Sequence, residues 1–124
     1  MDAVYDKDCT LVGWYQPQSG YLYDAGMNWT AFVSNGHAFS AVTGNWLGAV
    51  KNATFQDQNG KAALWMPSAG APESGLKPLK PLKPLKPLKP LKPLKPLKPL
   101  KPLRPLNPLG GWSPLSFDAW KSQN

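Results

Sequence analysis

The side chains able to do chemistry are few and scattered along the 124 residues. His37 is the single histidine, and no Cys, Asp or Glu stands at metal-ligand spacing from it, so it reads as a strand-edge or turn histidine. Cys9 has no second cysteine to pair with inside the chain and reads as a small residue in a turn. Ser34, Ser40 and Ser68 lack the Gly-x-Ser-x-Gly setting of a nucleophile elbow. Asp6, Asp8 and Asp24 are carboxylates within reach of a pairing, but each falls in turn chemistry, where an aspartate caps backbone N–H groups. No glycine-rich loop precedes a helix, so a phosphate cradle is unsupported. No catalytic residue, metal ligand or cofactor is assigned, and the chain is not expected to be an enzyme.

The dense pattern is cationic. Lys77, Lys80, Lys83, Lys86, Lys89, Lys92, Lys95, Lys98, Lys101 and Arg104 recur at every third residue, each followed by Pro and then Leu. This Leu-Lys-Pro tract runs from Leu76 to Leu109, 34 residues in which proline fixes φ, removes a backbone donor and pushes the preceding residue out of the α region. Helix and central strand are both excluded, which leaves polyproline II with three residues per turn. A period of three on such a helix sorts the side chains into edges. Leu76, Leu79, Leu82, Leu85, Leu88, Leu91, Leu94, Leu97, Leu100, Leu103, Leu106 and Leu109 form an apolar ridge, and Trp112 and Leu115 keep the same register beyond it. A rod over 76–115 would be about 120 Å long.

The net charge of +7 comes from this tract, which carries ten bases and no acid. Outside it, Lys7, Lys51, Lys61 and Lys121 face seven acids, a net of −3. Specific nucleic-acid binding is therefore not indicated, since the high pI belongs to one repeat and no aromatics interleave its lysines. The ridge points instead to other copies of the chain. Burying one leucine is worth about 1.5–3 kcal/mol, and a domain of some 70 residues has a radius of gyration of only about 11 Å. A rod of that length would overhang its own domain and find its burial on neighbours, with the basic edge meeting acidic surfaces. The expected function is structural: a self-assembling subunit forming a fibre, bundle or other homo-oligomer. The alternative is an adaptor or spacer whose basic, Pro-rich tract binds partner domains in the Pro-x-x-Pro-x-basic mode, or anionic polymers or membranes.

The first seventy residues repeat as well. Tyr23, Phe39 and Phe55 are sixteen apart, with Tyr5 leading a longer first unit. A small residue follows each at eight or nine positions (Gly13, Ala31, Gly48, Ala63), and turn chemistry lies between, as in Asp24-Ala25-Gly26 and Gln58-Asn59-Gly60. Further turns at Gln18-Ser19-Gly20, Ser34-Asn35-Gly36 and Lys51-Asn52 join the units. Each unit reads as a hairpin, so the fold expected is all-β, about eight short antiparallel strands.

Tyr23-Asp24 with Ala31, and Trp46-Leu47-Gly48, resemble bacterial small β-hairpin-repeat proteins built from units of the form aromatic-Asp-x-x-Gly-x-x-apolar-Gly, some ending in Pro-Leu-Arg or Pro-Leu-Lys tails. The resemblance covers about residues 3–66 and the tail. Unit four departs from it, with Gln56 in the Asp position and Ala63 in the Gly position. It implies a small β-repeat fold and no activity.

The organisation expected is a β-hairpin-repeat domain (1–67), a flexible hinge (68–75), a polyproline II rod (76–115) and an aromatic C-terminal plug or tail (116–124). In the last, Phe117 and Trp120 are three apart and suited to docking, into a neighbour if chains associate. No secretory signal and no run of 18 apolar residues is visible, so the default expectation is a cytoplasmic protein without a transmembrane segment, and extracellular or virion assembly would need another route.

Overall fold

A computed structural model of the chain describes residues 1–75, 78–97, 99, 102 and 108–124. Leu76, Lys77, Lys98, Leu100, Lys101, Leu103, Arg104 and Leu106, named above as ridge or edge residues, lie outside the described residues.

Eight strands follow one another as hairpins: β1 (Asp2–Tyr5), β2 (Leu11–Gln16), β3 (Tyr21–Asp24), β4 (Trp29–Ser34), β5 (His37–Ser40), β6 (Trp46–Lys51), β7 (Thr54–Gln56) and β8 (Ala62–Trp65). Every neighbouring pair is antiparallel, and Tyr5 of β1 pairs with Trp65 of β8, so the meander closes into a barrel. Closure removes the sheet edges that end units would otherwise have to cap. A short turn (Pro67–Ala69) follows β8, and helix α1 (Phe117–Lys121) lies near the C-terminus.

Fourfold repetition is written into the register. Each hairpin carries one irregularity, between Val4 and Tyr5, Leu22 and Tyr23, Ala38 and Phe39, and Phe55 and Gln56. Such bulges bend and twist a strand, which a barrel this small requires. Immediately after the bulge a side chain staples the hairpin loop. Asp6 Oδ1 accepts from the amides of Asp8 and Thr10, and Asp24 Oδ1 accepts from those of Gly26 and Asn28. Ser40 Oγ accepts from Val42 and Thr43, and Asp57 Oδ1 from Asn59 and Lys61. Each loop then passes through positive φ, at Cys9, Met27, Gly44 and Gly60.

This corrects the alignment of unit four. The residues equivalent to Tyr5, Tyr23 and Phe39 lead to Gln56, not Phe55, and the staple equivalent to Asp6 and Asp24 is Asp57. Likewise Leu64, which pairs with Phe55, takes the place of Gly13, Ala31 and Gly48, while Ala63 is the residue passed over at the bulge. Being one residue out of step puts a side chain on the opposite face of the sheet.

Val4, Leu22, Ala31, Ala38, Leu47, Phe55 and Leu64 pack on the inner face with Trp120. Small residues at Gly13, Ala31, Ala38 and Gly48 leave a lumen that the barrel's own strands do not fill. A Cβ at Gly13 or Gly48 would collide with the carbonyl oxygen of Tyr23 or Gln56 across the sheet, so these strands meet at a separation only glycine permits.

Candidate functional site

The barrel's outer face is as well buried as its core. Residues alternating with the inner set form three outward clusters: Tyr5 with Trp65, Trp14 with Tyr23 and Met27, and Phe32 with Phe39 and Trp46. None of these seven aromatics is more than 6% exposed. Burial pushes the hydroxyls of Tyr5 and Tyr23 above their ordinary pKa, with Cys9 and Tyr21 respectively adding a smaller charge effect. The outer face of a solvated barrel would not be buried in this way; something covers it.

Part of the cover is the Leu-Lys-Pro tract. Gly75 donates its amide to Gly60 O in the β7–β8 loop, 3.1 Å. Lys83 Nζ reaches Thr43 O in the β5–β6 loop (3.2 Å), and Lys86 Nζ sits 5.8 Å from the ring centre of Trp29 on β4. Leu85 and Pro87 share a cavity with Tyr21 and Phe32, Pro90 shares one with Tyr23, Met27 and Trp29, and Pro99 and Pro102 share one with Ala3 and Tyr5 of β1. Gly110 returns to the side of Ser74. The described residues of the tract thus trace a circuit past β8, the β5–β6 hairpin, β4, β3 and β1, and back to β8. A straight rod overhanging its domain, as expected from length, is not seen among the described residues, whose prolines share cavities with the outer aromatics instead.

Burial along this belt has a period of three. Every described proline from Pro78 to Pro102 is half-buried, while every described leucine and lysine between them is exposed. Leu79, Leu82, Leu85, Leu88, Leu91, Leu94, Leu97 and Leu109 are each 88–96% exposed. Lys80, Lys83, Lys86, Lys89, Lys92 and Lys95 are exposed beside them. Trp112 and Leu115, expected to continue the ridge, turn inward instead. Gly110 and Gly111 take φ of 86° and 80° and redirect the chain, so Trp112 packs on Tyr5 and Trp65 and Leu115 on the core.

A clasp closes the circuit. Trp112 bridges Ala62 in parallel, Ser113 donates its amide to Ala62 O (2.7 Å), and the Ser113 hydroxyl donates to Asp57 Oδ2 (2.7 Å). Asp57, 2% exposed, is therefore both loop staple and clasp. On the other side, Glu73 N donates to Thr54 Oγ1, so the segment expected as a hinge is tied to the barrel at both Glu73 and Gly75.

The aromatic plug docks within its own chain. Ser116 caps α1 by accepting from Ala119 N, and Trp120 is fully buried in the lumen. Its Nε1 donates to Gln56 O (3.0 Å), its ring meets Phe55 edge-on at 5.8 Å, and Phe117 stacks on it at 6.2 Å. Gln123 Nε2 donates to Leu47 O, fastening the end of the chain. The sequence signal that locates this host is the run of undersized inner residues, which leaves indole-sized space.

Among the remaining candidates, His37 accepts at Nδ1 from Trp46 Nε1 (3.2 Å), and burial lowers its pKa. Asp6 and Asp24 serve as loop staples rather than a pair. Among the described residues no group of three or more His, Cys, Asp or Glu side chains is placed to hold a metal ion, and no helix is long and apolar enough to cross a membrane.

A closed barrel of four hairpin units, wrapped on the outside and plugged within, defines a small β-repeat protein whose accessible chemistry lies on its surface. The chain belongs to the 4-fold beta flower protein family, whose model matches residues 2–121. No curated protein and no solved structure matches it.

Proposed function

We propose that the protein is a structural subunit that associates with further copies of itself through the leucine ridge carried on the outside of the belt. One observation carries this reading: eight leucines in a single period-three row are 88–96% exposed. Contiguous apolar surface beyond a few hundred Å² is rare on a soluble monomer and marks an interaction site. The tract in polyproline II, three residues per turn, accounts for the row, and burial of every third residue supports that conformation. The proline-restricted backbone loses little further entropy on burial, which leaves a rotamer cost of about 0.5–1 kcal/mol per leucine. A second copy fits the charge pattern, since the lysines border the ridge while the rest of the chain carries a net −3. Adjacent ridges would pair leucine to leucine, with each basic row free to meet a neighbour's acidic loops, where Asp6, Asp8 and Asp24 sit.

Light scattering tests it. The unaltered chain is expected to run as an oligomer or larger particle, and the combined variant Leu82→Ser, Leu88→Ser, Leu94→Ser as a monomer with an unchanged unfolding temperature, because those side chains touch little of their own barrel. A variant that assembles like the unaltered chain, or an unaltered chain that is monomeric at high concentration, would leave the row to a partner surface or a lipid interface.

A further inference from the structure

The belt's inner edge carries a second inference, independent of what its outer edge does. Tyr23, Tyr21, Trp29, Phe32 and Phe39 form an unbroken run across β3, β4 and β5, with successive ring centres 6.5, 5.5, 6.2 and 5.6 Å apart. Prolines of the tract face this run across small cavities, Pro87 sharing one with Tyr21 and Phe32, Pro90 another with Tyr23 and Trp29. Half-burial along the described tract falls on one residue in three, the prolines, while the leucines and lysines are exposed, with Lys86 Nζ set over the Trp29 ring. The Trp29 indole N–H is buried and donates to no acceptor among the described residues. Aromatic rows carrying an indole donor suit a polyproline backbone, which presents flat pyrrolidine faces and carbonyls with no internal hydrogen bonds.

We propose that the aromatic outer face of β3–β5 is a binding site for extended segments with proline at every third residue, occupied in this chain by its own tract. The site reads proline spacing, Lys86 adds a cation over Trp29, and the exposed leucines are free to vary. Held at both ends, the resident tract competes at a high effective concentration, so a free ligand enters only where the belt is loosened.

The test uses the full chain with Pro84→Ser, Pro87→Ser, Pro90→Ser and Pro93→Ser combined, and a dye-labelled synthetic peptide of ten Leu-Lys-Pro repeats as probe. Fluorescence anisotropy should show saturable binding to the loosened chain, at least about tenfold tighter than to the unaltered one. Adding Trp29→Ala should weaken it again by about tenfold. Two results overturn the proposal: no saturable binding to a loosened chain that keeps its near-ultraviolet circular dichroism, or equal binding of a peptide of the same composition with its prolines clustered. If the loosened chain fails to fold, Trp29→Ala in the otherwise unaltered chain decides. Chymotryptic cleavage within 85–92 should then rise at least about tenfold as the belt lifts, and an unchanged rate overturns the proposal.

Discussion

Single residues set the barrel's dimensions. At Gly48, φ is 146° and a Cβ would strike the Gln56 carbonyl, so Gly48→Ala must both strain the backbone and part β6 from β7. A loss of about 3 kcal/mol or more is expected, measured by urea unfolding. Gly111→Ala, with positive φ but open space around it, should cost about 1–2 kcal/mol. His37 supplies a pH signal. Its Nδ1 must stay unprotonated to accept from Trp46, and burial holds its pKa below 6.5. The unfolded chain then binds the proton more readily. The His37 contribution is fully present above the unfolded pKa and is lost as pH falls through the lowered folded value. The unfolding temperature should drop as pH falls below the ordinary imidazole value of about 6.5, and His37→Gln should flatten that part of the profile. A profile identical in both chains would remove His37 from the account.

At the scale of elements, the hairpins are legible in the sequence, and so is the phase of the first three but not of the fourth. Turn residues at Asp24-Ala25-Gly26 and Gln58-Asn59-Gly60 marked loops that the structure forms, and the alternation of bulky and small residues marked eight strands. Unit four was set one residue out of step because the aromatic Phe55 outweighed the stapling carboxylate of Asp57. The staple is the better guide: it is tied to loop geometry, whereas an aromatic ring is at home on either face of a wrapped barrel. Plug and clasp were the least legible, since both depend on contacts between residues more than fifty positions apart. Their energetics are separable. Trp120→Ala should cost about 3–5 kcal/mol by opening the lumen, while Trp120→Phe keeps most of the packing and strands the Gln56 carbonyl, at about 1–3 kcal/mol. Thermal unfolding of the two variants would order them; equal losses would mean the indole bond to Gln56 dominates.

For the whole molecule, the question is one of length. Eight strands about 4.8 Å apart, tilted by roughly 40°, close at a backbone radius of about 8 Å. A layer about 10 Å further out has a circumference near 110 Å. The 34 residues from Leu76 to Leu109 reach about 105 Å at 3.1 Å per residue. The tract therefore matches one turn about the barrel. Deleting residues 85–90 removes about 19 Å of reach and should pull the clasp open, with loss of hydrogen-exchange protection at the Ser113 amide and a stability loss of about 2–4 kcal/mol from its two bonds. Inserting two triplets adds only slack, at well under 1 kcal/mol. Equal effects of deletion and insertion would show that the circuit's length is immaterial.

Tracts of near-identical triplets can gain and lose copies by slippage as a gene is replicated, and a free spacer would drift in both directions. A belt pinned at Gly75 and Ser113 converts that drift into a one-sided filter. Longer alleles would keep the clasp closed and shorter ones would lose its contribution, so repeat counts across a population should pile against a lower limit and trail off above it. The barrel would thus gauge its own gene, and the girth of a fold would be readable in the distribution of a microsatellite.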